Sequence, residues 1–216
     1  MSEFVIFGFD GSPFVRSVRM ALEEKGQPYR LRFMKPGDQR GEDYVRRQPF
    51  GRVPAIEHGD FGLYETQAIL RYVDAVFPSP ALQPRDPQAA ARMGQIIGIN
   101  DWYLFPQATA VIAFQRIVGP ALMGLTPDEE VIAAAAPKAT TCIVELDRLL
   151  GDAPFLAGDE LSLADLMVAP QLDYLAATPE GRAPLKGTGL EGWLQRMRAR
   201  PSMQATLPPA PLRAAA

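Results

Sequence analysis

The apolar positions of the first eighty residues change period several times. Phe4-Val5-Ile6-Phe7 reads as a short apolar strand. Val15, Val18, Ala21 and Leu22 then recur at helical spacing, and Gly26 stops that helix. Tyr29, Leu31 and Phe33 alternate with Arg30 and Arg32, the pattern of a strand with one wet face. Pro36 to Arg47 is polar and turn-rich, with a short helix from Asp43. Val53–Glu57 and Phe61–Tyr64 read as two strands joined by the hairpin signal His58-Gly59-Asp60. Glu65 to Phe77 is helical, with Ile69, Leu70 and Val73 as its apolar stripe. The resulting order, β-α-β-α-β-β-α, is an α/β domain over residues 1–78.

The pattern then becomes helical. Pro78-Ser79-Pro80, followed by Pro84 and Pro87, marks a linker over residues 79–86. Helices are expected at 88–117, 127–150, 163–177 and 191–200, making an all-α domain over residues 87–205. Leu161-Ser162-Leu163-Ala164-Asp165-Leu166 is a helix start. Ser162 caps, Asp165 reaches back to the cap N–H, and Leu161 staples onto Leu166. Residues 206–216, rich in Pro and Ala, are expected to form a loose tail.

Composition narrows the function classes. The chain has 216 residues, 47% of them hydrophobic and 22% charged, as in a soluble globular protein. A net charge of −3 argues against general nucleic-acid binding, and Arg196, Arg198 and Arg200 read as a solvated helix face. No stretch is long and apolar enough to span a bilayer, and Met1-Ser2-Glu3 runs into a strand without a basic leader. The one cysteine, Cys142, excludes an internal disulfide framework and fits a reducing, cytoplasmic compartment; on its helical stripe it reads as a buried, inert thiol. His58, the one histidine, sits in a hairpin turn, so neither a histidine-based triad nor a metal site is expected.

Three separated segments carry the candidate chemistry. Pro54 opens a strand where it cannot serve a central ladder, so Val53-Pro54 suits a turn, in cis or trans, that leaves the Val53 main chain open to an extended peptide-like ligand. Glu65-Thr66 begins a helix whose free N–H groups attract a carboxylate. Pro13 suits a first helical turn, which makes Ser12 an N-cap with its hydroxyl facing the same space. A small peptide bearing a carboxylate fits this combination. Plain capping by Ser12 and plain dipole complementation by Glu65 are the competing structural readings.

The motifs resemble those of the cytosolic glutathione transferases, in a serine-type, bacterial-like form. Ser12-Pro13-Phe14-Val15-Arg16-Ser17-Val18-Arg19-Met20-Ala21-Leu22-Glu23-Glu24-Lys25-Gly26 is similar to the first helix of that family's serine-type members. Gln48-Pro49-Phe50-Gly51-Arg52-Val53-Pro54-Ala55 is similar to its glutathione-clamping turn, Glu65 to Tyr72 to its third helix, and Leu161 to Asp165 to the folding motif of its helical domain. The resemblance implies the glutathione transferase fold: a thioredoxin-like α/β N-terminal domain, an all-α helical C-terminal domain, and a homodimer with Arg71-Tyr72 at the subunit contact. It implies glutathione as co-substrate, no metal, and transfer to small hydrophobic electrophiles in detoxification. Isomerase, dehalogenase and peroxidase variants share the same thiolate. A non-catalytic ligand carrier or docking module is the alternative from another class.

Carried over residue by residue, Ser12 is the catalytic hydroxyl that hydrogen-bonds the glutathione sulfur. Arg52 and Val53 hold the cysteinyl part, with Pro54 as the cis-proline, and Glu65 and Thr66 hold the γ-glutamyl end. Thr66 stands where the family usually has Ser, and Ser12 replaces the Cys of members that specialise in thiol–disulfide exchange. Arg40, with Gln39, falls where other members hold the glycine carboxylate. Phe9, Trp102, Tyr103 and Phe114 are candidates for the substrate pocket, with core packing as the competing reading for Trp102 and Tyr103. Arg16 is read either as support for the thiolate or as a solvated side chain, and Asp101 as a reach to a partner subunit's glutathione amine.

Overall fold

The N-terminal pattern folds into β1 (Phe4–Gly8), α1 (Pro13–Glu24), β2 (Arg30–Phe33), a 3-10 turn at Asp38–Arg40, α2 (Glu42–Val45), β3 (Ala55–His58), β4 (Phe61–Tyr64) and α3 (Thr66–Val76). This is a computed structural model that describes residues 2–35 and 37–213. Met1, Pro36 of the turn-rich stretch and residues 214–216 of the tail lie outside the described residues.

β1 is central because it carries the most continuous apolar run. It pairs in parallel with β2 and antiparallel with β3, and β3 pairs antiparallel with β4, giving the order β2-β1-β3-β4. Ile6 faces Ile56 across the ladder, and Phe7 faces Ala55, which in turn faces Tyr64. α1 packs against α3, and the stripe residues Val15, Val18, Leu22, Ile69, Leu70 and Val73 are fully buried. A second cluster, Met34, Tyr44 and Ala55, gathers Phe7, Phe9, Val53 and Tyr64 around it. Phe33 was expected inside with Leu31 but is 62% exposed, because β2 is an edge strand paired with β1 alone.

Gly8 matters for the start of α1. A Cβ there would lie 2.4 Å from Val15 Cγ2, so only a glycine lets the helix sit this close to its strand. The turn before β3 is held by two side chains from α2 and its end. The Tyr44 hydroxyl donates to the Arg52 carbonyl at 2.6 Å, and the buried Gln48 side-chain oxygen accepts from the Arg52 N–H at 3.0 Å.

The helical part comprises α4 (Pro87–Ile99), a π-helical segment at Asn100–Thr109, α5 (Ala110–Ala113), a second π-helical segment at Phe114–Val118, α6 (Gly119–Met123), α7 (Glu129–Leu150), α8 (Leu163–Ala176), α9 (Pro179–Leu185), α10 (Gly189–Arg198), α11 (Pro201–Ala205) and a 3-10 turn at Ala210–Leu212. The helix expected to end at Ile117 instead runs on to Met123. The continuous helix carries Pro120 within it, at the start of α6, and Gly124, at φ 64°, stops it in the left-handed region. α7 and α10 start at caps the periodicity did not locate. Asp128 accepts from Glu130 and Val131 N–H at 3.1 Å, and Thr188 accepts from Glu191 N–H at 3.1 Å.

Two compact units result. One is built from Met1–Ala81 with Pro201–Pro208, the other from Leu82–Arg200 with Pro209–Ala216. The division differs from the expected one at the C-terminal end, where α11 returns to the N-terminal unit. Nor is the stretch up to residue 213 loose. Leu212 is buried with Ala113, Ile117 and Tyr174, so the apolar residues between the prolines find a core.

Asp165 organises the helical unit. Its carboxylate accepts from Ser162 N–H at 2.9 Å and Ser162 hydroxyl at 2.8 Å, and from Leu156 N–H and Trp193 Nε1–H at 2.9 Å each. One side chain thus ties the start of α8 to the loop before it and to α10. All four groups are buried, so removing the acceptor strands donors that water cannot reach. Asp165→Ala is expected to cost more than about 3 kcal/mol, at about 1–3 per stranded donor. That corresponds to a drop of roughly 10 °C in Tm, read by calorimetry with Trp193 fluorescence.

The Tyr44 clamp carries a pH signature. Burial pushes its hydroxyl up to about 12. The group's contribution is therefore complete below the unfolded value of about 10 and is lost as pH climbs through 12. Tyr44→Phe is expected to cost about 0.5–1.5 kcal/mol at neutral pH, with the gap to wild type closing over that alkaline window in denaturant titrations.

Candidate functional site

The sheet register assembles the site. Phe7, Ala55 and Tyr64 lie in one row across β1, β3 and β4, and neighbouring strands are about 4.8 Å apart. Just beyond that row the chain leaves β1 into the loop leading to Ser12, enters β3 from Val53-Pro54, and leaves β4 into Glu65-Thr66. The pairing thus brings three segments, separated by some fifty positions of sequence, to one end of the sheet.

Each segment presents unpaired polar groups there. Ser12, half-buried, is the N-cap of α1 and accepts from Val15 N–H at 3.4 Å. Among the described residues nothing accepts its hydroxyl hydrogen, and the first turn of α1 has no acidic residue to compete with an anion. The Val53–Pro54 peptide is cis, and the Val53 main chain has no hydrogen-bond partner among the described residues. β3 therefore begins at Ala55, not at Val53. Glu65, at φ 70° and ψ 113°, is the only non-glycine residue with positive φ among the described residues. Its side chain is exposed and makes no cap bond, while Thr66 is buried and its N–H heads α3 without an acceptor among the described residues. A strained acidic residue that does not cap its own helix points to a ligand.

Arg52 is exposed, its backbone fixed at both ends by Tyr44 and Gln48. Gln39 and Arg40 lie on the 3-10 turn beside this loop. A Cβ on Gly51, at φ 62°, would lie 3.3 Å from the Gln39 carbonyl, so the two stretches touch. Tyr44 was missed in the sequence, and Gln48 was quoted only as part of the clamping-turn motif, with no role of its own. Their only signal was that an aromatic and an amide flank a polar stretch.

Arg16 is not solvated. It is 1% exposed, and its Nη2 donates to the Met203 carbonyl at 3.2 Å. Phe9 is half-buried on the Tyr44 cluster. In the helical unit, Trp102 is 74% and Tyr103 55% exposed, which removes the core-packing reading for both; Phe114 is half-buried on the second π-helical segment. The wide turn of a π-helix carries Trp102 and Tyr103 outward while Leu104 stays inside. Asp101 lies on the same segment. Cys142 is buried, and burial pushes its thiol up, away from reactivity. His58 Nδ1 lies 2.9 Å from the Tyr72 hydroxyl on α3. Among the described residues, no three His, Cys, Asp or Glu side chains group to hold a metal ion, and no helix is long and apolar enough to cross a membrane.

Comparison with known proteins places the chain in a family. Residues 6–81 match the profile of the glutathione S-transferase N-terminal domain, and residues 129–196 that of the glutathione S-transferase C-terminal domain. The chain is 29% identical over 212 residues to glutathione S-transferase F6 of Arabidopsis thaliana, covering 96% of this chain and 100% of that one. It is 30% identical over 207 residues to a probable glutathione S-transferase GSTF2 of Oryza sativa subsp. japonica, covering 94% and 95%. Among solved structures, glutathione S-transferase-I bound with the ligand lactoylglutathione superposes with a TM-score of 0.83 at 27% identity, covering 95% and 98%. With the α/β unit, the helical unit and both family profiles in place, the chain belongs to the glutathione S-transferase family.

Proposed function

We propose that this glutathione-dependent transferase is of the serine type. It ionises glutathione at Ser12 and delivers the thiolate to small hydrophobic electrophiles, working as a cytoplasmic homodimer. The reading rests on one observation: the register that places the Ser12 hydroxyl, the open Val53 main chain and the Glu65-Thr66 helix start at one end of the sheet. Val53 pairs with the cysteinyl amide like an added strand, Glu65 and Thr66 take the γ-glutamyl end, and Arg40 and Arg52 supply positive charge for the glycine carboxylate and the cysteinyl part. On the helical unit, the exposed Trp102 and Tyr103 suit contact with an apolar co-substrate.

The energetics suffice. A thiol with pKa about 8.5 is only a few per cent ionised at neutral pH, and thiolate is the nucleophile. Lowering that value by about two units takes roughly 2.7 kcal/mol. A charge-assisted hydrogen bond from Ser12 contributes about 1.5–3 kcal/mol, and the N-terminus of α1 adds about 0.3–1. Ser12 keeps the anion ionised by donating its hydrogen. The Val15 N–H engages its oxygen as an acceptor, which leaves the hydroxyl hydrogen free to donate.

Three variants test the assignment. Ser12→Ala is expected to lower kcat/KM for a conjugated model electrophile by about 100-fold at neutral pH, with the thiol titration moved up by one to two units and Tm lowered by only a few degrees through loss of the N-cap. Full activity with an unmoved titration would sink the role given to Ser12. Glu65→Gly should separate function from stability. It relieves the positive φ and raises Tm, a gain of about 1 kcal/mol, while calorimetry shows glutathione affinity falling about tenfold or more. Trp102→Ala, on an exposed site, should leave stability within about 0.5 kcal/mol and change the KM of hydrophobic electrophiles several-fold.

A further inference from the structure

The C-terminal segment that returns to the N-terminal unit is clasped by charged side chains of α1. Arg16 Nη2 donates to the Met203 carbonyl at 3.2 Å, and Arg19 Nη2 donates to the Ala205 carbonyl at 3.2 Å. These carbonyls belong to the last turn of α11, where a helix has no internal donors left to offer, so the two guanidiniums complete it. At the other end, the Ser202 hydroxyl donates to Glu24 at 2.5 Å. Residues 16, 19 and 24 thus meet residues 203, 205 and 202, and α11 lies along α1. Positive side chains meet its C-terminal end and a negative one its N-terminal end.

Arg19 does more than hold α11. Its Nη1 pairs with Asp10, in the loop two residues before Ser12, and its Nε donates to the Tyr29 hydroxyl at 3.1 Å. That hydroxyl donates in turn to Glu23 at 2.9 Å. One guanidinium, held mostly out of water, therefore links the loop that carries Ser12, the strand-entry tyrosine and the returning C-terminal segment. We infer that Arg19 is a positioning residue for the reaction, and that the segment Pro201–Pro208 sets the placement of the Ser12 hydroxyl through it. Within the loop from Phe9 to Ser12, the Ser12 N–H donates to the Phe9 carbonyl at 3.1 Å. The Asp10–Arg19 pair fixes the loop's position relative to the helix. A guanidinium presents five donors in a fixed planar fork, which suits it to hold three acceptors at separate, defined positions. This inference rests on the role given to Ser12.

The test uses full-length variants and the pH profile of kcat/KM with a model electrophile, checked by thiolate absorbance of bound glutathione. Arg19→Met is expected to move the bound thiol's titration up by about half to one unit, with a three- to tenfold loss of rate at neutral pH that recovers in alkali. Arg19→Lys should recover part of the shift. Asp10→Ala should reproduce it, and the Asp10→Ala/Arg19→Met double variant should be no worse than either alone, since both break one link. Arg16→Met combined with Ser202→Ala, which loosens α11 while sparing Asp10 and Arg19, should shift the profile in the same direction. Arg30→Gln, which removes an exposed pair with Glu3, should not. If Arg19→Met fails to fold, Asp10→Ala decides. A folded Arg19→Met with the wild-type profile, while Ser12→Ala shifts its own, overturns the inference and leaves the Ser12 role intact. A wild-type profile restored in the double variant overturns it too, since simple charge neutralisation of Asp10 would then explain the effect. If Ser12→Ala shifts nothing either, both fall together.

Discussion

Antiparallel pairing of β3 between β1 and β4 is the constraint on which the rest depends. It sets Phe7, Ala55 and Tyr64 in one row, and three chain segments exit or enter the sheet just past it. A slip of one residue would turn Ile56 out of the core and carry the Val53, Ser12 and Glu65 segments out of line together. The convergence of these segments thus rests on the burial of Ile6 and Ile56 in the core.

Around this frame, buried polar side chains do the holding. Tyr44 and Gln48 pin the turn before β3, Asp165 gathers four donors at the start of α8, and the buried Lys25 Nζ meets Asp74 at 2.6 Å and also the Pro80 carbonyl. Each fixes an irregular stretch of backbone that no ladder reaches. A net hydrogen bond is worth only about 1 kcal/mol, but a partner stranded in the interior costs about 1–3, so such networks act more as constraints against other conformations than as sources of stability. Among the described residues the one non-glycine backbone left at positive φ is Glu65, at the start of α3 beside the end of the sheet where the candidate segments converge.

Most of the N-terminal unit was legible because its short strands and helices carry clean periods. The stripe Ile69, Leu70, Val73 and the hairpin at His58-Gly59-Asp60 are local signals. Legibility failed where the decisive partner is distant in sequence. Arg16 looks like a solvated or catalytic arginine until α11, nearly two hundred positions later, is found against it. Leu212 sits among prolines and reads as tail until Tyr174 and Ala113 enclose it. The π-helical stretch at Asn100–Thr109 has no periodic signature distinct from the α-helices around it, so the exposure of Trp102 could not be read from its neighbours.

By itself the sequence determined the local grammar: which stretches are strand or helix, where Ser12 caps, that Asp165 reaches back to Ser162, and that Val53-Pro54 and Glu65-Thr66 are chemically equipped for a peptide-like ligand. Propensity, capping and turn chemistry act over a few residues, so they are written in order along the chain. The tertiary structure alone decided which of these segments share a space, where the C-terminal segment docks, and which polar side chains are buried. Those outcomes depend on long-range pairing and on the exclusion of water from shared surfaces, and neither has a counterpart in sequence neighbourhood.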